Sequence, residues 1–176
     1  MNTPRTKAQI ALKVFAFPIL FIPLHFAYDW TGSTFLAIFS GVSEGTFQHA
    51  KIGFYAYLLV CLLEYAWLRR QLPNRGRFFF SRLGAAVFLP WLMILIWYQA
   101  PAILGQPMPQ EWLEVVYAVL TTTLLAWVCA LLEADLEKVE FSKAMKIILI
   151  VLAGASIELF TIFTFNTPWA GFFTHP

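Results

Sequence analysis

Ala11–Trp30 reads ALKVFAFPILFIPLHFAYDW, a stretch in which only Lys13, His25 and Asp29 interrupt apolar and aromatic side chains. A membrane-crossing helix needs about 20 mostly apolar residues, and this stretch meets that length. Arg5, Lys7 and Lys13 in front of it mimic the basic start of an export leader. A leader, however, carries a small-residue cleavage site after its apolar run. None follows here, and Pro18, Pro23, His25 and Asp29 do not suit a leader's apolar segment. The stretch is expected to be a retained span. Four more stretches qualify: His49–Leu68, Leu83–Leu104, Trp112–Leu132 and Ile147–Pro168. Ser33–Val42 is apolar but too short to cross, and is expected to form a re-entrant or interfacial segment between the first two spans.

Composition points the same way. The chain has 176 residues, 60% hydrophobic, 18% aromatic and 12% charged. Soluble domains average about 45–50% apolar and about 25% charged residues. Such a chain cannot coat itself with polar surface, which excludes disorder, a coiled coil and a basic nucleic-acid binder. Lipid is its solvent. Two cysteines, Cys61 and Cys129, lie deep in apolar runs and form no CxxC motif. They are expected to act as small hydrophobes, so disulfide scaffolds and dithiol redox enzymes are excluded.

Lysine and arginine placement sets orientation. Five spans put Arg5, Lys7, Lys13, then Arg69, Arg70, Arg75, Arg77, Arg82, then Lys138, Lys143, Lys146 on one side, eleven of the twelve basic residues. The N-terminus is therefore expected in the cytoplasm and the C-terminus outside. Trp30, Trp97, Tyr98, Trp112 and Trp169 fall at the outer ends of spans, and Tyr65 and Trp67 at an inner end, where amphipathic rings favour headgroups. The fold class is thus an all-α integral membrane bundle of five transmembrane helices forming a single domain over residues 1–176. No internal repeat is visible, and five spans do not divide into the matched halves of an inverted-repeat transporter. Glu133, Asp135, Glu137 and Glu140 alternate with lysines in the last cytoplasmic loop and are expected to be a solvated helix end.

Lys51 is the exception to the charge pattern. It follows Glu44 and His49 at the outer start of the second span, and His25, His49 and His175 all fall on or near that side. Asp29 lies one helical turn beyond His25, on the same face. Titratable groups at membrane depth are costly and face a bundle interior or an aqueous cavity. His25, Asp29, Glu44, His49 and Lys51 are therefore a candidate site in the outer leaflet. His25, His49, Asp29 and Glu44 have the chemistry of a first shell for zinc or another divalent metal. Without metal, the same groups offer a general acid and base or a proton relay. Asp29 and Glu44 could equally only neutralise His25 and Lys51.

Glu158 sits about eleven residues, or about 16 Å, into the last span and is expected as the floor of that outer pocket or a proton station. Gly154, Glu158, Thr161 and Phe165 share one face. The candidate catalytic set is Glu44, Asp29, Lys51 and Glu158. Glu64 is expected to reach Arg69 or water near the cytoplasmic end. Below Thr123, Leu124–Val128 is apolar, so the inner half is expected to be dry. Pro18, Pro23 and Pro90 are expected to kink their helices and make room for a cavity.

The run His25-Phe26-Ala27-Tyr28-Asp29-Trp30-Thr31-Gly32, then Phe39–Val42, Glu44, His49 and Lys51, resembles the opening of a family of small prokaryotic multi-pass membrane proteins. That family is catalogued as a domain of unknown function. Its hallmark reads approximately H-x-x-Y-[DE]-W-[ST]-G, then F-S-P-V-N-E-S-x-W-E-H-x-K. The ending Phe163–Pro168, with Phe172 and Phe173, is similar to the family's F-T-F-x-x-P and phenylalanine-rich tail. This chain departs from the hallmark with Gly41 for proline, Ser43 for asparagine, Gly45 for serine and Gln48 for glutamate. The resemblance implies a multi-pass fold and candidate functional positions at His25, Asp29, Glu44, His49 and Lys51, with no activity attached.

Three functions fit the sequence. One is an outward-opening enzyme or ligand-binding protein in the cell membrane, acting on a small or lipidic substrate with a divalent metal such as zinc. Glu44 or Asp29 would then be the base, His25 and His49 ligands or proton donors, and Lys51 the holder of an anionic group. The second is a transporter or proton pathway, expected as a homo-oligomer. The third is an accessory subunit with a structural polar cluster. The lipid bilayer is the expected partner and nucleic acid is not.

Overall fold

Thr6 starts the first helix. Its hydroxyl accepts from the Gln9 backbone N–H at 3.2 Å, and its own N–H donates to Gln9 Oε1 at 3.0 Å, a reciprocal cap for two donors the helix leaves over. Helix α1 (Lys7–Thr31) runs on through Pro18 and Pro23 and ends at Gly32, whose φ of 63° lets its N–H return to the Tyr28 carbonyl at 2.7 Å. The computed structural model describes residues 6–106 and 108–168, so Arg5, Trp169, Phe172, Phe173 and His175 lie outside the described residues. The short apolar stretch after α1 forms one turn, α2 (Thr34–Ala37), followed by an irregular segment to Gly45.

Helix α3 (Thr46–Leu68) and helix α4 (Arg75–Trp97) follow, then the short α5 (Gln99–Leu104), α6 (Glu111–Leu136) and α7 (Lys143–Phe165). Pro101 explains the break between α4 and α5: it has no N–H to donate to the Trp97 carbonyl, and its ring crowds that oxygen. All regular structure among the described residues is helical, and α1, α3, α4 with α5, α6 and α7 are long and apolar enough to cross a membrane. The fold class expected from sequence is thus observed. Three helices start four or more residues earlier than the apolar runs alone suggest, because polar caps extend them, Thr6 for α1 among them. Asn74 accepts from the Arg77 N–H at 3.0 Å, and Ser142 accepts from the Met145 N–H at 3.2 Å.

Successive long helices run in opposite directions. Lys13, Glu64, Arg82 and Glu133, from α1, α3, α4 and α6, meet at one end, here called the basic end. His25, His49, Trp97 and Tyr117, from the same four helices, meet at the other, the histidine end. Helices α3 and α4 form the centre, with 50% of their apolar windows buried against 11% for α1 and 17% for α7. Met93 of α4 lies over Gly53 of α3, where an added Cβ would come within 2.5 Å of Met93 Sδ and push that side chain aside. Phe17, Phe54, Tyr57 and Leu89 fill the core around that contact. Trp30 and Trp112 at the histidine end and Trp67 at the basic end are exposed, as interfacial rings are.

Candidate metal centre

Three side chains converge at the histidine end. His25 comes from the last two turns of α1, His49 from the first turn of α3, and Glu44 from the segment that joins α2 to α3. Chain reversal between α1 and α3 brings residues 25 and 49 level with each other. The two Nε2 atoms lie 3.0 Å apart, and Glu44 Oε2 lies 3.4 Å from His25 Nε2 and 3.6 Å from His49 Nε2. All three potential ligand atoms lie within 4.8 Å of one another. Ligands at about 2.0–2.1 Å from a tetrahedral ion are separated by about 3.3 Å, and the observed triangle brackets that value.

The second contacts of the ring nitrogens differ. His49 Nδ1 lies 3.2 Å from the Gly45 carbonyl. Donation there leaves the Nε2 lone pair directed at the cluster, the arrangement that fixes metal-binding imidazoles. His25 Nδ1 is buried without a partner, so packing holds that ring: Phe26 meets it edge-on at 4.7 Å and Phe21 lies 6.3 Å away. Trp97 stacks on the His49 ring at 6.4 Å, and Tyr117, whose hydroxyl donates to the Ile96 carbonyl, packs behind Trp97 at 5.7 Å. Two nitrogen lone pairs facing each other at 3.0 Å repel, so the gap requires a proton or a cation between them. Glu44 is 59% exposed against 15% for His25 and 24% for His49, which leaves the carboxylate side open for a further ligand.

The other expected site residues are elsewhere. Lys51 is fully buried and donates to the Ala37 carbonyl and to Thr164 Oγ1, both at 2.8 Å. It fastens α2 and α7 to α3 and holds no place for an anion at the cluster. Asp29 shares the face of His25 but is exposed and outside the group of three. Glu158 is exposed on the outer side of α7 and floors no pocket. The six-residue outer pocket is therefore corrected to a three-residue cluster at the molecular surface.

A second polar cluster, unforeseen in the sequence, occupies the basic end. Lys13 Nζ lies 2.5 Å from Glu133 Oε1 and 3.2 Å from Glu64 Oε2, over the Tyr57 ring at 4.5 Å. Arg82 binds Glu64 at 3.0 Å, pairs with Glu137, and stacks on Phe78 at 3.7 Å. Lys13, Arg82 and Glu133 are buried, and Glu64 and Glu137 close the network from its partly exposed edge. The inner half is thus not purely apolar, Glu64 turns inward from Arg69, and Glu133 is no part of a solvated helix end. Only Asp135, paired with Lys138 at 2.6 Å, and the exposed Glu140 match that expectation. A groove between α1 and α3, lined by Leu12, Ala16, Val60, Leu63 and Trp67, exposes an edge of Lys13 and Glu64. Cys61 and Cys129 are free and buried, as expected, although Lys13 also donates to Cys61 Sγ at 3.1 Å.

No protein-family model matches the chain, and no curated protein or solved structure is similar to it. What the fold and site define is a class: an all-α protein with five helices able to cross a membrane and an accessible His-His-Glu cluster at one end.

Proposed function

We propose that this is a cell-membrane protein whose outer end carries a divalent metal centre, of zinc type, held by His25, Glu44 and His49 and acting on a small or lipidic substrate at the outer leaflet. The observation that carries the reading is the ligand triangle of 3.0, 3.4 and 3.6 Å. Two neutral imidazoles and one carboxylate cancel one charge of a divalent ion and leave a fourth position open, as in catalytic zinc sites. A bound ion of this kind supplies a Lewis acid and a water that ionises near neutral pH. His49, oriented through Gly45, is the fixed ligand, while Glu44, on a segment without regular structure, is the adjustable one. Ten of the eleven described basic residues, all but Lys51, lie toward the basic end, which supports a cytoplasmic placement for that end. The stacked pair Phe26 and Trp30, 5.8 Å apart and exposed beside His25, supports headgroup depth for the site. All three ligands also fall on positions of the resembled family's hallmark.

A transport pathway is disfavoured by what lies between the two polar clusters. Below His25, α1 packs Phe21 and Phe17 against the bundle, and α3 adds Phe54. That apolar layer separates the metal site from Lys13 and Glu133.

Cobalt(II) titration of purified, chelator-treated protein tests the reading. We expect one equivalent to bind with the intense visible absorption of a four-coordinate nitrogen and oxygen site, displaced by zinc. Weak absorption that persists in His25→Ala would contradict it.

A further inference from the structure

Glu158 is placed where a carboxyl group is costly. It lies about 16 Å along the apolar run that starts at Ile147, near the middle of a hydrocarbon core about 30 Å thick. The buried residues of α7 are Ala153, Phe160 and Thr164, and they mark the side packed on α3 and α4. At 100° per residue, Glu158 is about 200° from Phe160 and points away from the bundle, in keeping with its exposure. Ionisable groups within membranes almost always face protein or water. Gly154, one turn earlier on the same outward side, is also exposed, and a Cβ there would meet nothing within 4 Å. A second helix can therefore approach the α7 backbone closely just beside the carboxyl group.

The chemistry of the carboxyl group selects the partner. A carboxyl group in hydrocarbon is costly unless a partner gives it hydrogen bonds, and two carboxyl groups facing each other can do so reciprocally. The neighbouring hydroxyls of Ser156 and Thr161 already donate to the Leu152 and Ile157 carbonyls at 2.8 Å each, so they offer Glu158 no donor. The buried basic groups of this chain are engaged elsewhere: Lys51 with Ala37 and Thr164, and Lys13 and Arg82 with the carboxylates of the basic end. An identical carboxyl group supplies both a donor and an acceptor, and a two-fold axis sets a residue against itself. We propose that α7 forms the interface of a homodimer, with Glu158 of each copy hydrogen-bonded to Glu158 of the other and Gly154 allowing the close crossing.

Energy transfer between differently labelled full-length copies in phosphatidylcholine vesicles, over a dilution series of protein in lipid, tests this. The wild type should dimerise. Glu158→Leu and Gly154→Leu should each weaken dimerisation about tenfold, the size of effect interhelical contacts exert in membranes. Glu158→Gln, which keeps one donor and one acceptor, should dimerise within about threefold of wild type. Since both positions face outward, cobalt binding should be unchanged in all three variants. A monomeric wild type would overturn the proposal. So would a Glu158→Leu variant that dimerises as wild type, or a Glu158→Gln variant as weak as Glu158→Leu, which would indicate that Glu158 meets a charged group of the other copy and not its Glu158.

Discussion

His49 and Lys51 are two residues apart and serve opposite purposes. On a helix, positions i and i+2 point about 200° apart, so one side chain reaches the surface cluster while the other turns inward to Ala37 and Thr164. Sequence proximity made both look like members of one site, and helical geometry separates them. Replacing Lys51 with methionine keeps the volume but strips the buried Ala37 carbonyl of its donor. Lys51→Met should lower stability by about 1–3 kcal/mol, read by thermal unfolding in detergent, with metal binding unaltered. Loss of the metal in this variant would return Lys51 to the site. Asp29 has a similar lesson: it shares a face with His25, but it lies a turn further along, where α1 is ending. The carboxylate that reaches His25 comes instead from Glu44, through a loop whose path the apolar pattern does not encode.

At the scale of elements, the five spans were legible because each is a local property, a run of apolar residues about as long as a bilayer is thick. Their ends were less so, since Asn74 and Ser142 cap helices that begin among charged residues. The basic-end cluster was not legible at all. Lys13, Glu64, Arg82 and Glu133 each sit near the end of a span, where a charged group ordinarily snorkels to water. Only the packing of α1, α3, α4 and α6 reveals that they converge, with Lys13, Arg82 and Glu133 buried. Removing one member leaves a buried charge unpaired, whereas removing a pair does not. Lys13→Met should therefore cost about 3–5 kcal/mol. Adding Glu133→Leu to it should recover much of that loss in thermal unfolding. A Lys13→Met variant as stable as wild type would show that the pair carries no such weight.

Across the whole molecule, the two polar clusters inside the bundle lie at opposite ends of the described residues, separated by packed aromatic rings. The basic end is an ion-pair network in which each buried cation meets carboxylates. The histidine end is open, with an exposed carboxylate and two nitrogen atoms whose lone pairs require something between them. Scarcity of charge pointed to lipid as the solvent. The few charged groups then sort by what they touch: Lys51 to the frame, Glu158 to the outer surface, and Glu44 to the site. The most direct test of the metal centre is elemental analysis of the purified full chain beside His49→Ala, both shown to be folded by thermal unfolding. The structure predicts about one divalent ion, of zinc type, per wild-type chain and none in His49→Ala. No metal in the wild type after zinc supplementation, or an equal content in both proteins, would contradict it, leaving a proton between His25 and His49.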